Sequence, residues 1–182
     1  MMRADAARNL DAVLRTGARL LAEDPATTIA TIAAEAGLDR RTVYRRFPTR
    51  EALLTAVFRA KLDSANRVMD EARLAEAPVA VALHRYVEGI VPVSREWPLD
   101  VRRMMREDPD ANVLREEASG RLDRFLRRAA DEGLLRADVP ISWARAMLDH
   151  LVDTAAHGFP LLDPPQAADL VVDTLLNGVG RG

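Results

Sequence analysis

Residues 28–47 read TIATIAAEAGLDRRTVYRRF, and this stretch decides the fold of the N-terminal part of the chain. Apolar residues at i, i+3, i+4 and i+7 predict one buried helical face, formed by Ile29, Ile32, Ala33 and Ala36. Gly37 ends this helix, because glycine adopts a positive φ without steric penalty. A second helix follows, with Val43 and Phe47 as its apolar edge. Two short helices joined by a tight glycine turn predict a helix-turn-helix.

Short polar residues stand at the expected starts of three helices. Thr28 precedes the first helix of the motif, Asp39 the second, and Thr49 a longer helix that follows Pro48. Side-chain oxygens at such positions accept hydrogen bonds from N–H groups that a helix leaves unpaired. We therefore predict that all three residues are N-caps, and Thr28 is also a candidate for contact with DNA.

The second helix of the motif carries a cationic face. Away from its apolar edge lie Arg40, Arg41, Thr42, Tyr44, Arg45 and Arg46. An eight-residue helix is roughly 12 Å long, and the DNA major groove is about 12 Å wide. Arginine bonds guanine bidentately, while threonine and tyrosine reach phosphates. A merely solvated cationic face is the alternative, but the helix–glycine–helix spacing favours nucleic-acid binding.

The longer segment TIATIAAEAGLDRRTVYRRFPTREALLTAV resembles the N-terminal DNA-binding domain of the tetracycline-repressor (TetR) family of bacterial transcriptional regulators. The resemblance runs from Leu10 to Phe58, and its most specific parts are Ile32-Ala33, Ala36-Gly37, Thr42, Tyr44, Phe47 and Arg50-Glu51-Ala52-Leu53. Family members contact DNA through the matching positions, which implies contacts here by Arg40, Arg41, Thr42, Tyr44, Arg46 and Arg50.

Three arginines differ in what supports them as DNA contacts. The helical wheel turns Arg45 away from the core, whereas the family pattern favours Arg46, so both are kept as candidates. Arg50 stands where relatives more usually carry lysine, and we expect it to bind a DNA phosphate. Ala30 stands where many relatives carry a polar side chain, so the first helix is expected to read fewer bases.

The charge is unevenly distributed along the 182 residues. Residues 1–50 hold nine arginines against six acidic residues, a net charge of +3, while the whole chain carries −2. The remainder is therefore acidic, at −5. A basic head on an acidic body is typical of a DNA reader with a separate body.

Composition predicts a helical, cytoplasmic protein. Hydrophobic residues make up 48% of the chain, charged residues 30% and aromatic residues 4%. Cysteine is absent, which excludes disulfides and thiolate sites. The sequence shows no signal peptide and no apolar run long enough to cross a membrane.

The expected fold is all-α with two domains. Residues 1–50 are predicted to form a three-helix helix-turn-helix DNA-binding domain, and residues 51–182 a helical effector-binding and dimerisation domain. Apolar periodicity and capping signals place the helices of the body at 49–73, 78–94, 97–105, 109–133, 142–156 and 164–178.

The middle of the body contains residues suited to an apolar pocket. Methionine and tryptophan line adaptable pockets, and the family resemblance implies a small-molecule site among these helices. The candidate effector-binding residues are His84, Trp97, Met104, Met105 and Phe125. The alternative is that each of them simply fills the core.

The last two helices combine apolar stripes with small residues that permit close helix approach. The family resemblance implies that such a pair doubles with its symmetry mate into a four-helix dimer interface. The candidate interface residues are Met147, Leu148, Leu151, Ala155, Leu170, Val171, Thr174 and Leu175. Packing within one chain is the alternative.

Nothing in the sequence predicts catalysis or a cofactor. His150, Asp153 and His157 share a helical face and have metal-ligand chemistry, but a solvated or interfacial face explains them better. Metalloprotease, phosphate-loop and nucleophile-elbow motifs are missing from the sequence. We therefore predict no catalytic residue, no metal and no cofactor.

The function predicted from these features is that of a homodimeric transcriptional repressor. It binds double-stranded, near-palindromic operator DNA and is released by a small apolar effector. One alternative is a DNA-binding regulator that needs no ligand. Another is a helical small-molecule-binding protein or enzyme, against which the basic recognition positions argue.

Overall fold

The computed structural model describes residues 2–98 and 109–179. Their regular structure is helical, without a β-strand in either range, which confirms the predicted all-α class. The helices are α1 (Met2–Glu23), α2 (Ile29–Glu35), α3 (Arg40–Arg46), α4 (Arg50–Glu71), α5 (Val79–Glu96), α6 (Pro109–Asp131), α7 (Ile141–Asp153) and α8 (Pro164–Val179). A π-helical turn, Thr154–Gly158, continues α7.

The chain forms two compact units. Unit 1 comprises Met1–Leu62 and Glu96–Leu114, and unit 2 comprises Asp63–Arg95 and Arg115–Gly182. The functional division at residue 50 stays a prediction. Among the described residues, no helix is long and apolar enough to cross a membrane.

Unit 1 has an apolar core that holds the helix-turn-helix. The core residues of its first four helices are Val13, Leu14, Ala18, Leu21, Ile29, Ile32, Ala33, Val43, Phe47, Leu53, Leu54, Val57 and Phe58. They include Val43 and Phe47, the apolar edge predicted for α3, at 2% and 5% exposure. Burial of this edge fixes which side of α3 faces solvent.

The predicted caps and turn of the motif are confirmed. Thr28 Oγ1 accepts a hydrogen bond from the Thr31 N–H at 3.1 Å, and Asp39 Oδ1 accepts one from Thr42 N–H at 3.1 Å. Thr49 Oγ1 likewise accepts the Ala52 N–H at 3.1 Å. Between α2 and α3, Gly37 has a φ of +68°.

Two glycines of unit 1 predict opposite effects of alanine. A Cβ on Gly17 of α1 would lie 3.7 Å from Ile32 Cγ2 and 3.8 Å from Leu53 Cδ2, ordinary contact distances. Gly17→Ala should therefore raise the free energy of unfolding by about 0.5–1 kcal/mol through reduced backbone entropy. Gly37→Ala should lower it by about 1–2 kcal/mol, because alanine is strained at positive φ.

Urea unfolding monitored by circular dichroism measures both effects. The urea concentration at the unfolding midpoint should be highest for Gly17→Ala, intermediate for wild type and lowest for Gly37→Ala. A Gly37→Ala protein as stable as wild type would contradict the left-handed turn.

Unit 2 contains a close approach of two helices and an internal proline. A Cβ on Gly89 of α5 would lie 2.8 Å from Val68 Cγ1 of α4, so no larger residue fits without displacement. Pro92 lies inside α5, and the helix continues past it to Glu96. The short helix predicted from residue 97 to Met104 and Met105 falls mostly outside the described residues; Trp97 and Pro98 themselves are not helical.

The π-helical turn after α7 is held by Arg95 at the end of α5. Its guanidinium donates to the carbonyls of Ala155 and Ala156, both at 3.2 Å, and to Leu162 O at 2.9 Å. A cation that donates to several carbonyls stabilises a turn whose oxygens a regular helix would pair internally. The sequence alone did not predict this turn, because its partner lies some 60 residues earlier.

The loop between α6 and α7 begins with a positive-φ glycine. Gly133 has a φ of +79°, and the Leu134 N–H donates to Ala129 O at 2.9 Å. Further along, the Arg136 guanidinium donates to the Asp138 carboxylate at 2.8 Å and lowers the pKa of this carboxyl below its ordinary value. Both side chains are exposed, so the pair contributes little to stability.

Candidate nucleic-acid interface

The cationic face predicted for α3 is exposed to solvent. Opposite the buried Val43 and Phe47, the exposed residues are Arg40, Arg41, Thr42, Arg45 and Arg46. Tyr44 is half-buried, and the Arg40 guanidinium lies 5.1 Å from the centre of its ring. This cation–π contact lies at one edge of the face, and Tyr44 stays a candidate hydrogen-bond donor to a DNA phosphate.

Three of these arginines have no acidic partner within residues 2–98 and 109–179. No carboxylate of those ranges forms an ion pair with Arg41, Arg45 or Arg46. By contrast, Arg19 of α1 pairs with Glu35 of α2 at 3.0 Å and with Glu23 at 3.3 Å. The unpaired guanidinium groups therefore make α3 the unneutralised basic surface of the motif, as an anionic ligand requires.

The structure does not distinguish Arg45 from Arg46 as the residue that contacts DNA. Both are exposed in the last turn of α3. The disagreement between helical wheel and family pattern therefore stays open, and a substitution at each position is needed to resolve it.

Two other candidate DNA-contacting residues are engaged in internal hydrogen bonds. The Thr28 hydroxyl pairs with the Thr31 hydroxyl at 2.9 Å besides capping α2. Arg50, which the sequence predicts to bind a DNA phosphate, is half-buried. Its guanidinium donates to Thr27 O at 2.8 Å and to Pro25 O. These carbonyls belong to the loop that precedes α2.

Trp97 is a buried residue of unit 1. It is 2% exposed, its carbonyl accepts a hydrogen bond from Lys61 Nζ at 2.9 Å, and the Arg15 guanidinium lies 5.7 Å from its ring centre. Its indole N–H has no hydrogen-bond partner in the part of the chain that is described. Arg15 also forms an ion pair with Glu96, so α1 contacts the segment that carries Trp97.

The other candidate pocket residues lie elsewhere or outside the described ranges. Phe125 is a buried residue of unit 2, with the Arg128 guanidinium 5.6 Å from its ring centre. His84 is half-buried on α5, and its Nε2 bonds Asp169 Oδ1 of α8 at 2.9 Å. Met104 and Met105 lie outside the described residues. The predicted pocket therefore stays a prediction.

The candidate dimer residues divide into two groups within unit 2. Leu148, Ala155, Val171 and Leu175 are buried within the single chain. Met147 and Leu151 are half-buried, while Leu170 and Thr174 are exposed. The less buried residues Met147, Leu151, Leu170 and Thr174 are therefore the ones available to contact a second copy, because the other four already pack inside their own chain.

Trp143 is a surface residue that the sequence pattern did not place among the candidates. It is 58% exposed in the first turn of α7, as Leu170 is 55% exposed on α8. A large exposed apolar side chain is informative when a second one lies on a neighbouring helix. The available signal was position, since Trp143 precedes the inward-facing Ala144 and falls off the apolar stripe.

His157 of the π-helical turn lies among polar groups of unit 2, while His150 of α7 is exposed. His157 Nδ1 bonds Asp153 Oδ1 at 3.0 Å, and its Nε2 lies 3.2 Å from Ser94 O. In residues 2–98 and 109–179, no group of three or more His, Cys, Asp or Glu side chains is placed to hold a metal ion. The geometry at His157 is that of a helix contact.

Comparison with known proteins agrees with this geometry. The family model described as bacterial regulatory proteins, tetR family, matches residues 13–57. The HTH-type transcriptional repressor LfrR of Mycolicibacterium smegmatis is 28% identical over 180 residues, covering 94% of this chain and 90% of that protein. The matched family and this relative are transcriptional regulators and not enzymes, which agrees with the prediction of no catalytic residue.

Two solved structures show the same architecture. The TetR-like regulator LfrR from Mycobacterium smegmatis in complex with proflavine superposes with a TM-score of 0.79 at 26% identity, covering 98% of this chain and 99% of that one. The ketosteroid regulator KstR2 of Mycobacterium tuberculosis has a TM-score of 0.74 at 17% identity, covering 93% and 94%. The second likeness concerns the fold alone.

Proposed function

Since the chain belongs to the tetR family of bacterial regulatory proteins and is a DNA-binding transcriptional regulator, we propose that it represses transcription by binding operator DNA as a homodimer. The observation that carries this proposal is the face of α3, where Arg41, Arg45 and Arg46 are exposed opposite a buried apolar edge. Exposed arginines on a short helix suit the major groove, where they bond guanine and phosphate. Such a protein is expected to act in the cytoplasm.

A promoter–reporter assay tests repression. The DNA upstream of the regulator's own gene drives the reporter, and the regulator is supplied from a second plasmid. Wild type should lower reporter output, and a variant with Arg41, Arg45 and Arg46 all replaced by alanine should not. Output that rises with wild type would identify an activator, and unchanged output would place the operator elsewhere.

A dimer is supported by the requirement for two half-sites and by exposed apolar residues. One α3 of this size covers only a few base pairs, so a near-palindromic operator needs a second copy. Trp143 on α7 and Leu170 on α8 are exposed apolar residues. The less buried interface candidates Met147 and Leu151 lie on α7, four and eight residues after Trp143. Burial of such residues against a second copy is favourable by roughly 25 cal/mol per Å².

We further propose that a small apolar effector releases the DNA. The related LfrR has been solved with proflavine, a planar aromatic molecule. In this chain Trp97 contacts Arg15 of α1 and Lys61 of α4 within unit 1, and α1 and α4 supply the core on which α2 and α3 pack. A ligand against Trp97 would thereby affect the same helices that position α3. A regulator that needs no ligand is the alternative.

Proflavine is the probe for this step. In a Trp143→Phe background, where Trp97 is the remaining tryptophan, bound proflavine should quench Trp97 emission. It should also weaken operator binding by about 5–150-fold, the usual range of coupling between two sites. Fluorescence titration and anisotropy with labelled operator measure the two effects.

The outcomes of the proflavine experiment discriminate between the alternatives. Release of operator with unchanged Trp97 emission would place the pocket elsewhere in the chain. Quenching without release would separate ligand binding from regulation. If neither occurs with proflavine, a planar aromatic cation, or with planar apolar compounds, the ligand-independent regulator is favoured.

A further inference from the structure

Arg50 connects the first turn of α4 to the loop before α2. Its Nη1 donates to Thr27 O at 2.8 Å and its Nη2 donates to Pro25 O. The side chain is half-buried, unlike the exposed Arg41, Arg45 and Arg46. Two of its donors are therefore bonded to main-chain carbonyls before any DNA is present.

Within the described ranges, the other hydrogen bonds of loop residues 24–27 lead back to α1 or stay within the loop. The Thr27 N–H donates to Asp24 O at 3.0 Å, and the Thr27 hydroxyl lies 3.4 Å from Leu20 O of α1. The Ala26 N–H donates to Asp24 Oδ1 at 2.8 Å. Arg50 thus adds a connection to α4 that these bonds do not provide.

The hydrogen bonds of Arg50 link the segments on either side of the α2–α3 pair. The loop ends at Thr28, which caps α2, while Arg50 begins α4 directly after α3 and its C-cap Phe47. Holding the loop to Arg50 therefore ties the start of α2 to the end of α3. The orientation of α3 in the groove depends on how the pair is held, and a small misplacement weakens directional contacts.

We propose that Arg50 is a positioning residue for DNA binding: its guanidinium fixes the loop before α2, and with it the α2–α3 pair, instead of binding a DNA phosphate. The proposal rests on the proposed role of α3 as DNA reader. A guanidinium suits this task because its planar fork donates to two acceptors at once. A lysine ammonium keeps the charge but cannot reproduce the forked geometry.

Arg50→Lys and Arg50→Gln separate the two roles, with Arg59→Gln on the exposed side of α4 as the matched control. If Arg50 positions the motif, both Arg50 variants should lose about tenfold in operator affinity for each half-site, or about 10²-fold for the dimer, because losing a hydrogen bond to a charged group costs about tenfold per site. The salt dependence of binding should stay that of wild type. Affinity for scrambled DNA should change less than about twofold, which a general loss of folded protein would not produce.

A phosphate contact predicts a different pattern. Arg50→Lys would then bind operator like wild type, and Arg50→Gln would lose affinity for operator and scrambled DNA alike. Its salt slope would fall by about 1.8 per dimer, or roughly 0.9 for each lost contact. This pattern would overturn the positioning role while leaving the proposed function intact. Absence of operator preference in the wild type itself would instead refute the proposed function.

A measurement on the wild type covers the case in which the variants fold poorly. Nitrogen-15 NMR of the arginine side chains reports rotation of each guanidinium. In the free protein, the Arg50 Nη groups should rotate slowly because both are bonded, and their shifts should stay the same after operator is added. Free rotation before DNA, followed by a shift on binding, would identify a phosphate contact and overturn the proposal.

Discussion

Leu170→Glu is expected to convert the dimer into monomers and to weaken operator binding by about 10²–10⁴-fold. Leu170 is 55% exposed on α8, so the substitution leaves the core of unit 2 intact. Within a dimer interface, however, a glutamate carboxylate would be buried without a partner, at a cost of several kcal/mol. Monomers hold a single half-site, and the gain from binding two linked half-sites is lost.

The control is Val113→Glu on α6. Val113 is 56% exposed, close to the 55% of Leu170, and the substitution adds the same charge to another helix. Sedimentation should show a dimer for wild type and Val113→Glu and a monomer for Leu170→Glu. A dimeric Leu170→Glu protein with normal operator affinity would show that Leu170 is not in the interface, and Trp143 would become the next interface candidate to substitute.

Arg41→Ala is expected to lose both affinity and base discrimination. Arg41 is exposed in the first turn of α3, without an acidic partner in the described ranges. A bidentate arginine–guanine contact discriminates by about 1–3 kcal/mol in each half-site. Operator binding by the dimer should therefore fall by about 10²–10⁴-fold if both half-sites lose such a contact. Preference at one base pair per half-site should also relax.

Arg45→Ala and Arg46→Ala complete this comparison. Both residues are exposed, so the variants remain folded and any loss reflects contact with DNA. The variant that loses more affinity identifies the groove-facing residue and decides between helical wheel and family pattern. Competition with operators changed at single base pairs measures discrimination. If Arg41→Ala weakens operator and scrambled DNA equally with unchanged base preference, Arg41 contacts phosphate and Arg40 becomes the candidate reader.

The helix-turn-helix was predictable because its signals are local. The spacing of Ile29, Ile32 and Ala33 defines a buried face, and Thr28 and Asp39 cap helices that begin at the next residue. Each of these signals acts over a few residues of chain, so sequence periodicity captures it. The exposure of the arginines on α3 follows from the burial of the opposite edge.

The hydrogen bonds of Arg50 and Arg95 were not predictable, because they depend on tertiary structure. Arg50 reaches carbonyls 23 and 25 residues away, and Arg95 reaches carbonyls 60 or more residues away. Sequence spacing carries no information on such partners. The exposure of Leu170 shows the same limit, because an apolar residue on a helical stripe does not reveal by spacing alone whether it is buried in its own chain, whereas the position of Trp143 off the apolar stripe was a usable signal.

Selection of binding sites from random DNA duplexes tests the proposal that α3 reads an operator. Wild type should enrich a motif with two half-sites related by twofold symmetry, and the selected duplex should bind at least about 10³-fold more tightly than scrambled DNA. The variant with Arg41, Arg45 and Arg46 replaced by alanine should enrich nothing. Enrichment of the wild-type motif by that variant would contradict the proposed recognition, because the operator would then be read by a surface other than α3.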